Sequence, residues 1–379
     1  MVRQIVLQSY EISNDIRKIK MAKKQPTGMG PGLASDEDTS DKIGMAAIKK
    51  KYGDIVRTGT ALFSEKKNKK CLSVSPSYNL GLNGGILEGT WTVISGVEKC
   101  GKSSLCLQII TNGQKEGREA IYVDVESRIK PYNLEGTLGL DQDRLKIISP
   151  ETQEGGANVD IAAEDFLNTV DAMIRMPKYR GCVCVIDSLS SLLPKAEMES
   201  EVSGTLRANL PKMLSHWIKK NAQAVVRNDI IMILITHYIT NTSGYGKQKR
   251  ADCGVMVQYQ ADNRIDFTKV EAWEEEGKKI GQKTEAQISC SAMGSSGTTV
   301  TSYLRFGLGI DFTKERIEMG ESFGLINKAG AWYTVPFLAD FPEYAEKKFQ
   351  GQQKLYEFIS SNEAIGDLLN KEITQLLAS

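Results

Sequence analysis

Hydrophobic and polar residues alternate along the middle of this chain in a regular order of short and long segments. Five short apolar runs have the length and composition of buried β-strands. They are residues 91–95, 119–125, 145–149, 181–187 and 229–236. Longer segments between them carry apolar residues at helical spacing, at about 102–117, 159–176 and 205–226. This order of strands and helices predicts an α/β core with a mostly parallel sheet.

The pattern changes after Val257. Residues 263–267 and 302–306 alternate apolar and polar side chains, as strands do when only one face of a sheet is buried. We therefore expect antiparallel strands at one edge of the parallel sheet.

The N-terminal part of the chain has a different composition. Residues 26–40 are polar and rich in Pro and Gly, so residues 1–40 are predicted to be a flexible basic arm and linker. We interpret the basic cluster in residues 17–24 as a solvated arm in preference to a nucleic-acid contact. Residues 41–52 have apolar side chains at helical spacing, and Gly53 ends them. This predicted helix docks either on its own core or on a neighbouring molecule.

Composition limits the kinds of partner. The chain has 379 residues, 41% of them hydrophobic, and its 48 basic residues balance 47 acidic ones. Since the surface as a whole is not basic, a polyanion would have to bind local clusters of cations. The seven cysteines and two histidines have no metal-ligand spacing, which indicates reduced thiols in the cytosol. Neither a membrane span nor a signal peptide is indicated.

One octapeptide indicates the chemistry. Residues 96–103 have the spacing G-x-x-x-x-G-K-S between a predicted strand and a predicted helix, which is typical of a loop that wraps nucleotide phosphates. Lys102 is expected to reach the β- and γ-phosphates of ATP, and Ser103 to hold Mg²⁺. A glycine-rich turn with a chance Lys-Ser pair is the alternative, and the flanking elements disfavour it. The predicted nucleotide-binding residues of this loop are Gly96, Val97, Glu98, Lys99, Cys100, Gly101, Lys102, Ser103 and Ser104.

Two predicted strands end in carboxylates. Asp187 ends the run at 181–187, where parallel strands converge on the phosphate loop, and we expect it to hold Mg²⁺. The run at 119–125 brings Asp124 and Glu126 to the same edge. A carboxylate beside the γ-phosphate can polarise the attacking water, and we assign that role to Glu126. Asp124 stays a competitor for it, and a solvated strand-end acid is the alternative for either residue.

Several motifs, in order, resemble the RecA recombinase family. They are S-Y-N-L-G-L-N-G-G-I-L-E-G at 77–89, V-D-V-E-S at 123–127, I-D-S-L-S-S-L-L-P-K-A-E-M-E at 186–199 and N-K-A-G-A-W-Y at 327–333. The phosphate loop alone is shared with many NTPases, but L-P-K-A-E-M-E followed by K-A-G-A-W-Y is specific.

The resemblance runs from about Asp41 to Tyr333 and implies a domain organisation. A RecA-type P-loop core is expected at residues 76–335, preceded by an N-terminal polymerisation element at 41–75. Residues 336–379 are expected to form a small C-terminal helical region, a shortened version of the bacterial C-terminal domain.

The resemblance also implies a function. Members of the family form helical filaments on single-stranded DNA, hydrolyse ATP bound between protomers, and pair the strand with homologous double-stranded DNA. By position, it implies that Lys102 and Glu126 are catalytic, that Ser103 and Asp187 hold Mg²⁺, and that the helix at 41–52 packs on the adjacent subunit. Outside these motifs, the sequence is more similar to a bacteriophage recombinase than to a cellular one. This resemblance would place the protein in the bacterial host cytoplasm. Single-strand-binding and mediator proteins are expected partners.

Two loops are implied to contact DNA. The first, residues 197–204, is acidic, so Met198 and Val202 are expected to wedge between bases. The second follows the strand at 229–236 and is rich in Gly and Ser, which suits phosphate tracking by cations and base stacking by an aromatic ring. An ordinary solvated surface loop is the alternative. The expected contacts in the second loop are Tyr245, Lys247, Lys249 and Arg250.

Other family positions concern the nucleotide. The resemblance places a polar γ-phosphate sensor at His237, at the end of the strand before the second loop, and an adenine-stacking aromatic one place from Tyr132. Thr313 stands where the second adenine-stacking aromatic is expected.

One departure concerns the interface between protomers. Two lysines that reach the neighbouring phosphate in bacterial members correspond to Cys290 and Ala292 here. Transition-state charge would then be neutralised by another group, such as Lys283, a monovalent cation or a loop residue.

A ring-forming RecA-fold helicase is the alternative function, and it needs an interface that closes. A non-catalytic nucleotide-gated scaffold is disfavoured by the complete set of ATPase residues.

Overall fold

The described part of the chain forms two units. The computed structural model describes residues 37–53, 55–150, 161–200, 209–240, 249–275, 277–294 and 296–378. The first unit ends at Asn68 and the second begins at Lys69.

The described residues of the first unit form two helices, α1 (Glu37–Tyr52) and α2 (Gly59–Lys66). Helix α2 begins after Thr58, whose hydroxyl oxygen accepts a hydrogen bond from the amide of Ala61 at 3.2 Å. The helix predicted at 41–52 is thus present and begins earlier, at Glu37. All side chains that the structure describes from Gly44 to Asn68 are exposed, so these residues form no core among themselves.

The second unit contains all the strands among the described residues. In chain order they are β1 (Cys71–Leu72), β2 (Ile86–Leu87), β3 (Trp91–Gly96), β4 (Ala120–Asp124), β5 (Leu145–Ile148), β6 (Val183–Asp187), β7 (Ile231–Thr240), β8 (Lys249–Ala251), β9 (Asn263–Glu275), β10 (Lys278–Cys290), β11 (Thr298–Arg305), β12 (Gly309–Ile310), β13 (Asn327–Ala329), β14 (Trp332–Thr334) and β15 (Lys348–Gln350).

Its helices surround these strands. In chain order they are α3 (Pro76–Leu82), α4 (Lys102–Lys115), α5 (Pro131–Glu135), α6 (Ala163–Met173), α7 (Lys195–Met198), α8 (Leu210–Arg227), α9 (Val255–Gln260), α10 (Phe312–Ser322), α11 (Gln352–Ser360) and α12 (Glu363–Ala378). Among the helices described here, none has both the length and the apolar character that a membrane crossing requires.

Ten strands form the central sheet, in the spatial order β12-β11-β10-β9-β3-β7-β6-β4-β5, with β8 paired to β7. Pairing is parallel from β9 through β3, β7, β6 and β4 to β5, and antiparallel from β9 to β12. The mostly parallel sheet and its antiparallel edge, both predicted from the sequence, are confirmed.

One strand differs from its prediction. Strand β7 does not end at residue 236 but continues to Thr240, where it pairs with β8 in an antiparallel hairpin. His237 therefore lies inside a strand, and Lys249 and Arg250 lie in β8 and not in a loop. Pairing of Tyr238 with Ala251 supplies backbone hydrogen-bond partners beyond the apolar run, which is why the apolar pattern alone stops too early.

Each face of the sheet has its own hydrophobic core. Along β7, Ile233 and Ile235 pack with α4 on one face, whereas Met232 and Leu234 pack with α6 and α8 on the other. Strand residues alternate between faces, so a parallel strand buried on both sides is apolar throughout. Helices on both faces therefore fix the carboxyl ends of β3, β4, β6 and β7 at one edge of the sheet.

A third core lies in the C-terminal region. It joins α10, the small β13-β14-β15 sheet, α11 and α12 through buried residues that include Ile317, Tyr333, Phe349, Leu355 and Leu369. Helices α11 and α12 therefore pack with α10 and the small sheet in a core separate from the two on the faces of the central sheet.

Candidate nucleotide-binding site

The phosphate loop connects β3 to α4. Gly101 caps the helix with a φ of 94°, a left-handed conformation that favours glycine. A Cβ on Gly96 would lie 2.8 Å from the Phe267 side chain and 2.9 Å from the Cys100 sulfur, so the loop turns where only glycine fits. The first N–H groups of α4 have no partner within the helix, and together with the helix dipole they attract an anion.

Lys102 lies on the inside of this loop. Its side chain is buried, and its ammonium group donates hydrogen bonds to the carbonyl oxygens of Gly96 at 3.1 Å and Val97 at 2.7 Å. A buried cation needs partners, and here the loop's own carbonyls provide them. Phosphate oxygens in the loop would be stronger acceptors for the same ammonium group.

Ser103 and Asp187 form a pair of oxygen ligands at the start of α4. The Ser103 hydroxyl donates to Asp187 Oδ2 at 2.6 Å, and the Tyr122 hydroxyl donates to the same oxygen at 2.6 Å. Burial raises the pKa of Asp187 above its ordinary value, although both hydroxyls favour its ionised form. A divalent cation would reverse the effect of burial, and a hydroxyl beside a carboxylate is the donor set that Mg²⁺ prefers.

The two acids after β4 have different surroundings. The Asp124 carboxylate accepts hydrogen bonds from the amides of Arg128 at 3.0 Å and Ile129 at 2.8 Å, so it fixes the loop that follows the strand. The contacts that the structure describes for Glu126 are with side chains. Both acids line the same cavity, but the Asp124 carboxylate is engaged by two backbone amides and the Glu126 carboxylate is not held in that way by the described residues.

Four side chains surround the Glu126 carboxylate. Its Oε1 accepts hydrogen bonds from the hydroxyls of Ser188, at 2.9 Å, and Ser191, and lies 3.8 Å from His237 Nε2. Its Oε2 lies 2.6 Å from the Arg128 guanidinium. Burial opposes ionisation, but the two hydroxyls, the Arg128 guanidinium and His237 together outweigh it and hold the pKa of Glu126 below its ordinary value. Glu126 is thus a carboxylate that stays ionised, as a general base must.

These groups line one cavity of about 310 Å³. It brings together residues from all four strand ends, including most of those that the sequence singles out. They are Glu98, Lys99, Cys100, Gly101, Lys102, Ser103, Ser104, Asp124, Glu126, Tyr132, Asp187 and His237.

Five further lining residues were missed by sequence reasoning: Arg128, Asn133, Gln282, Leu304 and Phe306. Tyr132 and Phe306 are exposed aromatic rings that both border the cavity, as a planar base requires. Thr313, which stands where the family's second adenine-stacking aromatic is expected, is not among the lining residues. The second aromatic ring at the cavity is instead that of Phe306, the residue after β11. Only the position of Phe306, at the end of the predicted strand 302–306, could have indicated it.

Cys290 and Ala292, which stand where bacterial members carry the two interfacial lysines, lie outside the nucleotide cavity, as does Lys283. The Cys290 thiol donates to the carbonyl of Asp262 at 3.4 Å, and the Ala292 amide donates to the Asn263 side chain at 2.9 Å. Lys283 places its ammonium group 6.0 Å from the centre of the Tyr303 ring. None of these three lines the cavity within this chain.

The predicted DNA contacts are only partly described. Met198 is half-buried at the end of α7, and the side chain of Glu197 accepts a hydrogen bond from the Asn209 amide at 3.0 Å, which joins the two ends of the first loop. Val202, Tyr245 and Lys247 lie outside the described residues.

Comparison with known families agrees with this geometry. Residues 41–311 match the RecA N-terminal domain. The chain belongs to the RecA family. Members of this family are ATPases that use ATP and Mg²⁺, bind DNA in recombination and oligomerise, and this general function extends to the present chain.

The residues present fit Mg²⁺-ATP. The loop glycines leave room for phosphates, Lys102 and the N-terminus of α4 offer positive charge, and Ser103 with Asp187 offers oxygen ligands. When bound, ATP supplies the phosphoanhydride bond that is cleaved, and Mg²⁺ neutralises charge on its phosphate oxygens.

Proposed function

We propose that this RecA-family protein is a DNA-dependent ATPase that forms helical filaments on single-stranded DNA and catalyses homologous pairing and strand exchange with double-stranded DNA. The observation that carries the proposal is the single cavity in which Lys102, Glu126, Asp187 and His237 converge. Strand β7 links His237 directly to the segment proposed to bind DNA.

Each residue has a role in hydrolysis. Lys102 binds the β- and γ-phosphates, Ser103 and Asp187 hold Mg²⁺, and Glu126 takes the proton of the attacking water. Tyr132, together with Phe306, borders the place of the base. His237 lies 3.8 Å from Glu126, so a side chain that senses the γ-phosphate adjoins the general base.

Binding of single-stranded DNA is assigned to the two loops beside the site. Met198 and Val202 contact bases from the first loop, and Tyr245, Lys247, Lys249 and Arg250 contact the strand from the second. Helix α8, which begins at Leu210, a few residues after the first loop, supports the assignment. Its solvent side carries Lys212 and Lys219, spaced so that they lie on one face. Their positive charge favours phosphates.

Filament formation is assigned to residues 41–75. On α1, Met45, Ile48 and Tyr52 lie on one helical face, and all three are exposed, with 45%, 38% and 56% of their surface accessible. An exposed apolar stripe marks a contact with another molecule. Residues 76–335 then form the ATPase core and 336–379 the C-terminal region, with residues 1–40 as an arm.

The finer identity is also a proposal. The sequence resembles bacteriophage recombinases, which places the protein in the host cytoplasm with single-strand-binding and mediator proteins as partners. The basis for this assignment is the divergence of the chain outside the motifs that it shares with bacterial members, including Cys290 and Ala292.

Two experiments test the proposed function. Electron microscopy with single-stranded DNA and a non-hydrolysable ATP analogue should reveal helical filaments, and Lys102→Ala should form none under the same conditions. In a strand-exchange assay with circular single-stranded DNA and homologous linear duplex, joint molecules should appear only with ATP. Closed rings, with unwinding in place of exchange, would show the protein to be a helicase.

A further inference from the structure

Three serines follow the strand that carries Asp187. Ser188, Ser190 and Ser191 form a short turn, here named the serine turn, and each of their hydroxyls has a defined partner. Ser188 is fully buried. The role proposed above for the site uses none of these hydroxyls, although two of them reach the Glu126 carboxylate.

The two hydroxyls share one oxygen of Glu126. Ser188 and Ser191 both donate to Oε1, and their own oxygens are 3.0 Å apart. The other oxygen, Oε2, meets Arg128, whose side chain is 67% exposed. A solvated, flexible guanidinium fixes a partner weakly, because its ion pair is screened and costs side-chain entropy. The hydroxyls of the buried Ser188 and the half-buried Ser191 therefore determine where this carboxylate points.

The serine turn is itself anchored to the neighbouring strand. The Ser190 hydroxyl accepts a hydrogen bond from the amide of His237 at 3.0 Å, and it lies 3.5 Å from the Cys253 sulfur. The turn thus has a fixed place relative to β7. Glu126, at the start of a loop, is thus held by hydroxyls of a turn that is itself anchored to β7.

We propose that Ser188 and Ser191 are positioning residues, which hold the Glu126 carboxylate in the orientation from which it activates the attacking water. The proposal rests on the role of Glu126 in ATP hydrolysis. Neither hydroxyl needs to touch the nucleotide, since both act through the carboxylate. A hydroxyl that donates to an ionised acceptor makes a strong bond, so two of them restrict the carboxylate considerably.

Steady-state ATP hydrolysis with saturating single-stranded DNA tests the proposal. The double variant Ser188→Ala with Ser191→Ala should lower kcat by about 10- to 100-fold through misplacement of the base, while KM for ATP changes less than about twofold. Ser191→Thr keeps a hydroxyl and should retain most of the parental kcat. Ser191→Ala alone, which removes fewer contacts, should give an intermediate kcat and covers the case in which the double variant does not fold.

The matched control is Ser302→Ala. Ser302 is also a buried serine, and its hydroxyl donates to a different carboxylate, Glu315, at 2.5 Å. Ser302→Ala removes the same kind of hydrogen bond at a place outside the cavity, so its kcat should stay near the parental value. Two results would overturn the proposal, because each would mean that Ser188 and Ser191 have only a structural role. One is a loss of kcat in Ser302→Ala equal to that of the double variant, and the other is a rise in KM for ATP in the double variant that matches its loss of kcat.

Glu126→Gln separates this inference from the proposed function. If Glu126→Gln abolishes hydrolysis and the serine variants keep the parental kcat, the positioning role is wrong and the role of Glu126 stands. If Glu126→Gln itself hydrolyses ATP at the parental rate, the assigned general base is wrong and the positioning role is lost with it.

Discussion

Asp124 and Glu126 are two acids on the same strand end whose partners differ. Asp124 uses both carboxylate oxygens to bind backbone amides of its own loop, whereas Glu126 is held by hydroxyls in a cavity. Glu126→Gln should therefore leave ATP binding intact and lower hydrolysis by about 10²- to 10⁴-fold, because it removes the base and little else. Binding of a fluorescent ATP analogue and release of phosphate measure the two effects.

Asp124→Asn is the companion to that variant. It replaces one acceptor oxygen with a donor that faces the amides of Arg128 and Ile129, so the main effect should be a lower melting temperature. Unchanged turnover in Glu126→Gln together with a stable but inactive Asp124→Asn would assign the base to Asp124.

Glu315 provides a prediction about pH. It is fully buried on α10, where the Ser77 amide at 3.0 Å and the Ser302 hydroxyl donate to it. Burial outweighs these bonds and raises its pKa from 4.5 to about 7. The folded protein therefore holds the Glu315 proton more tightly than the unfolded chain does. The resulting contribution to the free energy of unfolding is complete below about pH 4.5 and is lost as pH rises through about 7.

Glu315→Gln removes this titration. Between about pH 5 and pH 8, the free energy of unfolding of the parent should fall relative to that of the variant, by up to about 3 kcal/mol. Urea unfolding at the two pH values measures the difference. Glu346→Gln, at an exposed glutamate, is the control and should follow the parent. The same pH dependence in Glu315→Gln and the parent would contradict the prediction.

The nucleotide residues divide into those that sequence can predict and those that it cannot. Lys102, Ser103 and Asp187 stand in the phosphate loop or at the end of an apolar run, so their place follows from the chain alone. Phe306 and Tyr122 depend on which strands become neighbours, and that information is absent from local patterns. The same holds for the hydroxyls on Glu126, since Ser191 reaches it only because β4 and β6 pair.

At the scale of elements, apolar runs predicted the buried strands well and the β7–β8 hairpin poorly. Strands β3, β4 and β6 are apolar because both of their faces are covered. Strand β8 and the end of β7 are polar, and they are held by backbone pairing to each other. Polar sequence at a sheet margin is compatible with either strand or loop, so the β7–β8 hairpin was expected to be a flexible loop.

The hairpin carries a prediction about DNA binding. Replacement of Lys247, Lys249 and Arg250 together by Ala should weaken binding of single-stranded DNA and reduce its salt dependence. Each lost phosphate contact should lower the slope of log affinity against log salt by about 0.7 on a single strand. Fluorescence anisotropy of a labelled oligonucleotide across a salt series measures this slope.

A matched set of cations controls for net charge. Lys146, Lys354 and Lys371 are exposed and lie away from the hairpin in the chain, so their replacement by Ala removes the same charge. That variant should keep the parental slope. If both triple variants changed the slope equally, the effect would come from overall charge and the hairpin would have no specific contact with phosphates.

At the scale of the whole molecule, buried residues are distributed unevenly between the two units. All three hydrophobic cores consist of residues from Leu72 onward, and the described side chains between Gly44 and Asn68 contribute to none of them. A helix with an exposed apolar face and no core stabilises its own chain little. It is well suited to pack on a second molecule, where burial of that face is favourable.

Deletion of residues 1–68 tests this distribution. The remaining chain keeps every buried core residue among those described, so it should fold, with a circular dichroism spectrum typical of an α/β protein. It should be largely monomeric by light scattering, because the apolar face of α1 is gone. If ATP binds between protomers, as the proposed filament requires, its DNA-stimulated ATPase activity should also fall, because the site is incomplete in a monomer.

The replacement of Met45, Ile48 and Tyr52 by Ser in the full-length chain sharpens that test, because it removes the apolar face and keeps the arm and the basic residues. The same loss of assembly is expected, whereas replacement of the exposed Lys49, Lys50 and Lys51 by Ser should leave more assembly intact. A folded deletion variant that still assembles on DNA and hydrolyses ATP at the full rate would contradict the polymerisation role. An unfolded deletion variant would mean that residues 1–68 are needed for the rest of the same chain to fold.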